Sequence, residues 1–228
     1  MLPFRIAAAD LIIGASCGGC GSPAITLCES CSGLLTPRPH VAWPRPVPHE
    51  LLEPTAVIPV ASGAHEGVLR AALAQYKEEG QFGLVKVLGH FLAASLCLAA
   101  PEDVPVLLVP IPSTRVARLR RGRDPVAELA RSCSKALRAI GLDCSVGQPL
   151  VHSRRVSDQS GLSARERSAN MNGALRMRST AGLDGRRIVI VDDVLTTGAT
   201  VAEATRVLSS AGFRPSAVAV IAAAVRRI

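Results

Sequence analysis

Hydrophobic positions along this chain alternate between two patterns. Short aliphatic runs, "TAVIPVA" from Thr55, "VPVLLVPIP" ending at Pro112, "IVIV" from Ile188 and "SAVAVIAAAV" from Ser216, are too short for buried helices and read as strands covered on both faces. Between them lie segments with helical spacing, over residues 66–76, 84–99, 125–140 and 199–208, the last stopping at Gly212. Residues 77–80 read as a turn, 143–151 as loop with a short strand, "ALRMR" as a further strand, and short helices are expected over 6–16 and from Ser163. Strands alternating with helices predict an α/β fold, a mostly parallel sheet with helices on both faces.

The densest chemistry lies where one strand gives way to a helix, in "IVIVDDVLTTGAT". Ligands of a parallel sheet sit beyond the carboxyl ends of its strands, where the next helix presents unpaired N–H groups and the positive end of its dipole. Thr196, Thr197, Gly198, Ala199 and Thr200 supply backbone donors and hydroxyls for a phosphate, and Gly198 leaves room for the anion. Asp192 and Asp193 only accept hydrogen bonds, so they suit sugar hydroxyls or a divalent cation. The ligand expected from this stretch carries a phosphate, a diol and Mg²⁺. A strand ending in two solvated acids and a helix cap is the bland alternative.

Composition narrows the partners. The chain has 228 residues, 26 Lys+Arg against 18 Asp+Glu, and a formal charge of +8, which favours anionic ligands such as nucleotides, polyphosphates or nucleic acid. Aromatic residues are only 3%, so the core is aliphatic and stacking platforms for bases are few. No run reaches the roughly 18 apolar residues that a membrane span requires, and a cytoplasmic location is expected.

Near the front, "CGGCGSPAITLCESC" places Cys17, Cys20, Cys28 and Cys31 as two Cys-x₂-Cys turns, a spacing that suits structural zinc. An iron centre and two disulfides are the alternatives. Cys97, Cys133 and Cys144 are dispersed and read as small buried hydrophobes. Proline-dense residues 36–54 form an extended linker, which divides the chain into a knuckle at 1–35, the linker, and an α/β body at 55–228. Within the body, Arg115, Arg118, Arg120, Arg121 and Arg123 crowd a basic loop after the strand that ends at Ile111, where they can meet a pyrophosphate or a nucleic acid backbone. The polar stretch "RRVSDQSGLSARERSAN", with Arg155, Gln159, Arg167 and Asn170, has the length and composition of a flap that closes over a charged substrate.

Together these segments resemble the ComF-type competence proteins, relatives of the type I phosphoribosyltransferases. The resemblance rests on "IVIVDDVLTTGAT", "RRVSDQSGLSARERSANMNGA", "VPIPSTRVARLRRGRD", "QYKEEG" and the leading cysteines, and covers nearly the whole chain. It implies that Asp192 and Asp193 hold the ribose hydroxyls of phosphoribosyl pyrophosphate, directly or with Mg²⁺, that residues 196–200 cradle its 5-phosphate, and that Arg115, Arg120, Arg121 and Arg123 lie on the pyrophosphate or nucleic-acid side. It further implies a role in DNA uptake, with single-stranded DNA and a helicase as partners. A phosphoribosyltransferase unrelated to DNA and a non-catalytic DNA-binding or helicase-docking factor are the alternatives. Two departures stand out: Arg121-Gly122-Arg123-Asp124-Pro125 replaces the family's Arg-Gly-Phe-Asn-Gln, and Ser157 stands where Thr is common.

Overall fold

The computed structural model describes residues 16–100, 104–153 and 171–224, so the expected helices over 6–16 and from Ser163, and the flap residues Arg155, Gln159, Arg167 and Asn170, lie outside the described residues. The strands are β1 (His40–Val41), β2 (Ile58–Ala61), β3 (Val106–Pro110), β4 (Cys144–Val146), β5 (Leu150–His152), β6 (Leu175–Met177), β7 (Arg187–Leu195) and β8 (Ala217–Ala223). The helices are α1 (Glu29–Leu34), α2 (Gly67–Glu78), α3 (Leu84–Ala99), α4 (Arg115–Arg121), α5 (Pro125–Ala139) and α6 (Ala199–Ser210). Six strands form one sheet in the order β1-β2-β8-β7-β3-β4, parallel except for the short edge strand β1, and β5 and β6 form a separate antiparallel pair.

Strand alternation builds two cores. Val189 and Val191 join Ala217, Ala219 and Ile221 against α2, α3 and α5, while Ile188 and Ile190 join Val218 and Val220 against α6 and the β5–β6 pair. The linker is part of the second core: Leu51, in a 3-10 turn, is fully buried, and Trp43 and Val47 pack beside it. The knuckle rests on the corner between α2 and α3. There the Gln81 side-chain amide donates to the Ser16 carbonyl at 2.9 Å, and a Cβ on Gly19 would fall 2.7 Å from Val68.

Three expectations change. The basic loop after Ile111 is a helix, α4, started by the Thr114 hydroxyl on the Ala117 amide and stopped at left-handed Gly122. No residue of α4 is buried, so it has no apolar period to betray it. The predicted turn over 77–80 begins later, because α2 runs on to Glu78, and β7 continues past the apolar run through both acids to Leu195.

Candidate functional site

The carboxyl ends of the neighbouring strands β7 and β3 define the crevice, with Pro110 in register with Val191. On β7, Asp192 pairs with Val220 and Val194 with Ala222, and the ladder skips Asp193. Local bonds replace the missing ones: the Asp193 amide donates to Asp192 Oδ1 at 2.9 Å, and the Val194 amide to Asp193 Oδ1 at 2.8 Å. Asp193 is buried and faces α2, whose Lys77 Nζ lies 2.5 Å from its Oδ2. Asp192 is half-buried.

These surroundings set the charges apart. Burial works against an ionised Asp193, but the Lys77 ammonium outweighs it and holds the carboxyl below its usual range. Burial, and then the neighbouring Asp193 charge, push Asp192 well above that range. Burial also works against the Lys77 charge, and Asp193 more than compensates. His65, on the loop after β2, feels the same field: burial and Arg70 lower it, against the pull of Asp193.

After Leu195 the chain turns through Thr196 and Thr197 into Gly198, which caps α6 with φ +77°. Only glycine fits there, since that angle is left-handed and a Cβ would also meet Pro44 Cγ at 2.8 Å. Thr196 is exposed, while Thr197, Ala199 and Thr200 are half-buried. Among the described residues, nothing accepts a hydrogen bond from the amides of Thr196, Thr197, Gly198 or Thr200, and the Ala199 amide reaches only the Thr197 hydroxyl, at 3.4 Å. A helix N-terminus with this many free donors at the mouth of a parallel sheet is chemically an anion cradle.

The arginines divide into two groups. Arg120 and Arg121 both pair with Glu78 of α2. Arg123 is buried against Glu128 at 2.5 Å and the Tyr76 carbonyl, with its guanidinium 4.3 Å from the Tyr76 ring centre and 4.7 Å from that of Phe82. These three hold α2, α4 and α5 together. Arg115, by contrast, lines a cavity of about 180 Å³ with Arg118, Arg178, Ser113, His152 and Asp124. Among the described residues, Arg115, Arg118 and Arg178 form no ion pair. Asp124, the cavity's carboxylate, is occupied by the Ser113 amide and hydroxyl and by the Ala127 amide. His152 Nε2 bonds the Pro112 carbonyl at 2.9 Å, and its Nδ1 has no partner.

Lys77, His152 and Arg178 were not singled out by sequence reasoning. Lys77 had a signal, its place in "QYKEEG"; the other two are brought to the crevice only by the β5–β6 pair.

At the other end of the chain, the sulfurs of Cys17, Cys20, Cys28 and Cys31 all lie within 4.8 Å of one another. Cys20 and Cys28 are 3.7 Å apart, against about 3.8 Å for the edge of a tetrahedron with Zn–S bonds of ~2.3 Å. The Cys28 and Gly19 amides donate to Cys17 Sγ, and the Cys31 amide to Cys28 Sγ. Although burial opposes it, those amides draw Cys17 down to about 6, whereas burial and the neighbouring thiols push Cys31 up to about 12. Four sulfurs this close can ligate one cation as thiolates, and the cluster is compatible with structural zinc. Among the described residues, no helix is long and apolar enough to cross a membrane.

Comparison with known proteins agrees with this architecture. Residues 116–227 match the model of the phosphoribosyl transferase domain. Competence protein F of Haemophilus influenzae is 25% identical over 201 residues, covering 86% of this chain and 79% of that protein. The DNA utilization protein YhgH of Escherichia coli is 34% identical over 107 residues, 46% of this chain and 44% of its own length. Among solved structures, hypoxanthine phosphoribosyltransferase from Trypanosoma cruzi aligns with 14% identity and a TM-score of 0.33, covering 60% of each chain. The family match, the relatives and the four-cysteine cluster converge: together they support a ComF-type protein, with a phosphoribosyltransferase-type domain behind its cysteine knuckle.

Proposed function

We propose that this protein binds phosphoribosyl pyrophosphate, or a closely related phosphoribosyl ligand, with Mg²⁺, and that it serves the uptake and handling of DNA. The observation that carries the reading is that, among the described residues, the amides of Thr196, Thr197, Gly198 and Thr200 have no acceptor, just beyond two acids at the carboxyl end of a central strand. The 5-phosphate rests on those amides, and the acids address the ribose hydroxyls. The pyrophosphate takes the guanidinium groups of Arg115, Arg118 and Arg178, which form no ion pair among the described residues, in place of Arg120, Arg121 and Arg123, which the protein uses for itself. Mg²⁺, when bound, neutralises pyrophosphate oxygens. In a transfer reaction the same arginines stabilise the negative charge that develops on the departing pyrophosphate.

The DNA side of the proposal draws on the names of the relatives and on α4, where Arg115, Arg118 and Arg120 stand on a helix with no buried residue. Zinc in the four-cysteine cluster is assigned a structural role, fixing the knuckle on the α2–α3 corner. The test is calorimetric titration with phosphoribosyl pyrophosphate in Mg²⁺, on the wild type and on Asp192→Asn. Binding that the substitution removes supports the reading; equal affinity in both removes the sugar contact.

A further inference from the structure

Lys77 and Asp193 come from distant parts of the chain and meet behind the crevice. Both carboxylate oxygens of Asp193 already have protein partners, the Val194 amide on Oδ1 and the Lys77 ammonium on Oδ2. Its side chain is 6% exposed, and that of Lys77, paired with it, is 33% exposed. Asp192 is one residue nearer the apolar run, half-buried, and forms no ion pair among the described residues, although it too feels the Lys77 charge. The alternation of β7 accounts for the difference. Val191 belongs to the core under α2 and α3 and Ile190 to the opposite one, so Asp193 continues toward α2 while Asp192 continues toward the other face.

We infer that Lys77 is a built-in counter-ion that divides the labour of the acid pair, holding Asp193 for the protein and leaving Asp192 to meet the ligand. The inference rests on the phosphoribosyl reading for the ligand, but its charge logic stands without it. Without Lys77 the two adjacent carboxylates would repel one another, and a divalent cation would relieve that repulsion; with Lys77 in place Asp193 is already compensated. A cation or diol reaches Asp193 Oδ2 only by displacing the ammonium. Glu78, the next residue of α2, holds Arg120 and Arg121, so the helix end that delivers Lys77 is itself anchored on α4. Lys77 is therefore a positioning residue, acting through Asp193.

The full chain titrated with Mn²⁺ alone, followed by the loss of the free-ion electron paramagnetic resonance signal, tests this without requiring the sugar ligand. Lys77→Met is expected to tighten Mn²⁺ about tenfold, because the pair gains a net negative charge. Lys77→Gln is expected to do the same if methionine prevents folding. Lys77→Arg restores wild-type affinity, and Lys77→Met combined with Asp193→Asn returns to it because a single charge remains. Asp192→Asn removes the site and serves as the blank. A merely structural salt bridge would lower stability in Lys77→Met and leave Mn²⁺ affinity unmoved, and that result overturns the inference. With phosphoribosyl pyrophosphate and Mg²⁺, Asp192→Asn is expected to cost at least tenfold more affinity than Asp193→Asn; equal losses also overturn it. Tightening of Mn²⁺ in a protein that ignores phosphoribosyl pyrophosphate would instead defeat the ligand assignment and leave the division of labour standing.

Discussion

The two sides of the crevice handle charge in opposite ways. On β7 the acids are internally compensated, with Lys77 on Asp193 and main-chain amides on both. On the β3 side, Arg115, Arg118 and Arg178 line a cavity whose carboxylate, Asp124, is already engaged by Ser113 and Ala127. A protein leaves cationic groups without partners at little cost where water reaches them, and it neutralises acids where water does not. The difference teaches where the ligand's charge belongs. In the proposed complex its anionic end would face the open arginines and the free amides, and its neutral hydroxyls would face Asp192.

The comparison can be broken at its strongest point first. Gly198→Val places a β-branched residue at φ +77° and within 2.8 Å of Pro44, so the cradle must distort. Affinity for phosphoribosyl pyrophosphate should fall about a hundredfold or more by calorimetry, with a lowered melting temperature. Next comes the open side. Replacing Arg115 and Arg118 together by alanine removes two guanidinium groups proposed to meet the pyrophosphate and should cost about tenfold to a hundredfold in affinity. The loss should shrink for ribose 5-phosphate, which has no pyrophosphate.

Arg123→Met sharpens the distinction from the other direction. Its guanidinium is enclosed by Glu128, Tyr76 and Phe82, so chemical denaturation should show a stability loss of about 2–3 kcal/mol, the solvent access of Glu128 keeping it below a fully buried pair. Ligand affinity at temperatures where the variant is folded should be unchanged. The smallest expected effect concerns thiols. Burial pushes Cys133 far above its ordinary value and leaves it shielded, whereas Cys97 is exposed. Under native conditions, iodoacetamide followed by mass spectrometry should label Cys97 and leave Cys133 unmodified.

Much of this was legible in the sequence because it is local. The four long strands announced themselves as aliphatic runs, and the cradle from Thr196 to Thr200 is one uninterrupted stretch after a strand, so its geometry follows from the order of residues. The cysteine cluster is local too, two turns joined by a short loop. What stayed hidden is non-local or unpatterned. Helix α4 buries nothing and so has no hydrophobic period. The run of arginines looked uniform, yet Glu78 and Glu128, contributed by other helices, decide which of them are already engaged. Likewise, the asymmetry between Asp192 and Asp193 depends on Lys77, which lies on the far side of the intervening strands in sequence and beside the acids in space. Arg178 reaches the cavity only because β6 returns beside β5.

The central claim is that the cradle after β7 and Asp192 before it together grip one phosphorylated sugar. Isothermal titration of the intact protein with phosphoribosyl pyrophosphate, run with and without Mg²⁺, tests it most directly. The account predicts saturable one-to-one binding that strengthens with Mg²⁺ and disappears in Gly198→Val. Absence of binding by the wild type at millimolar ligand with Mg²⁺ present, or undiminished binding by the Gly198→Val protein, would contradict it.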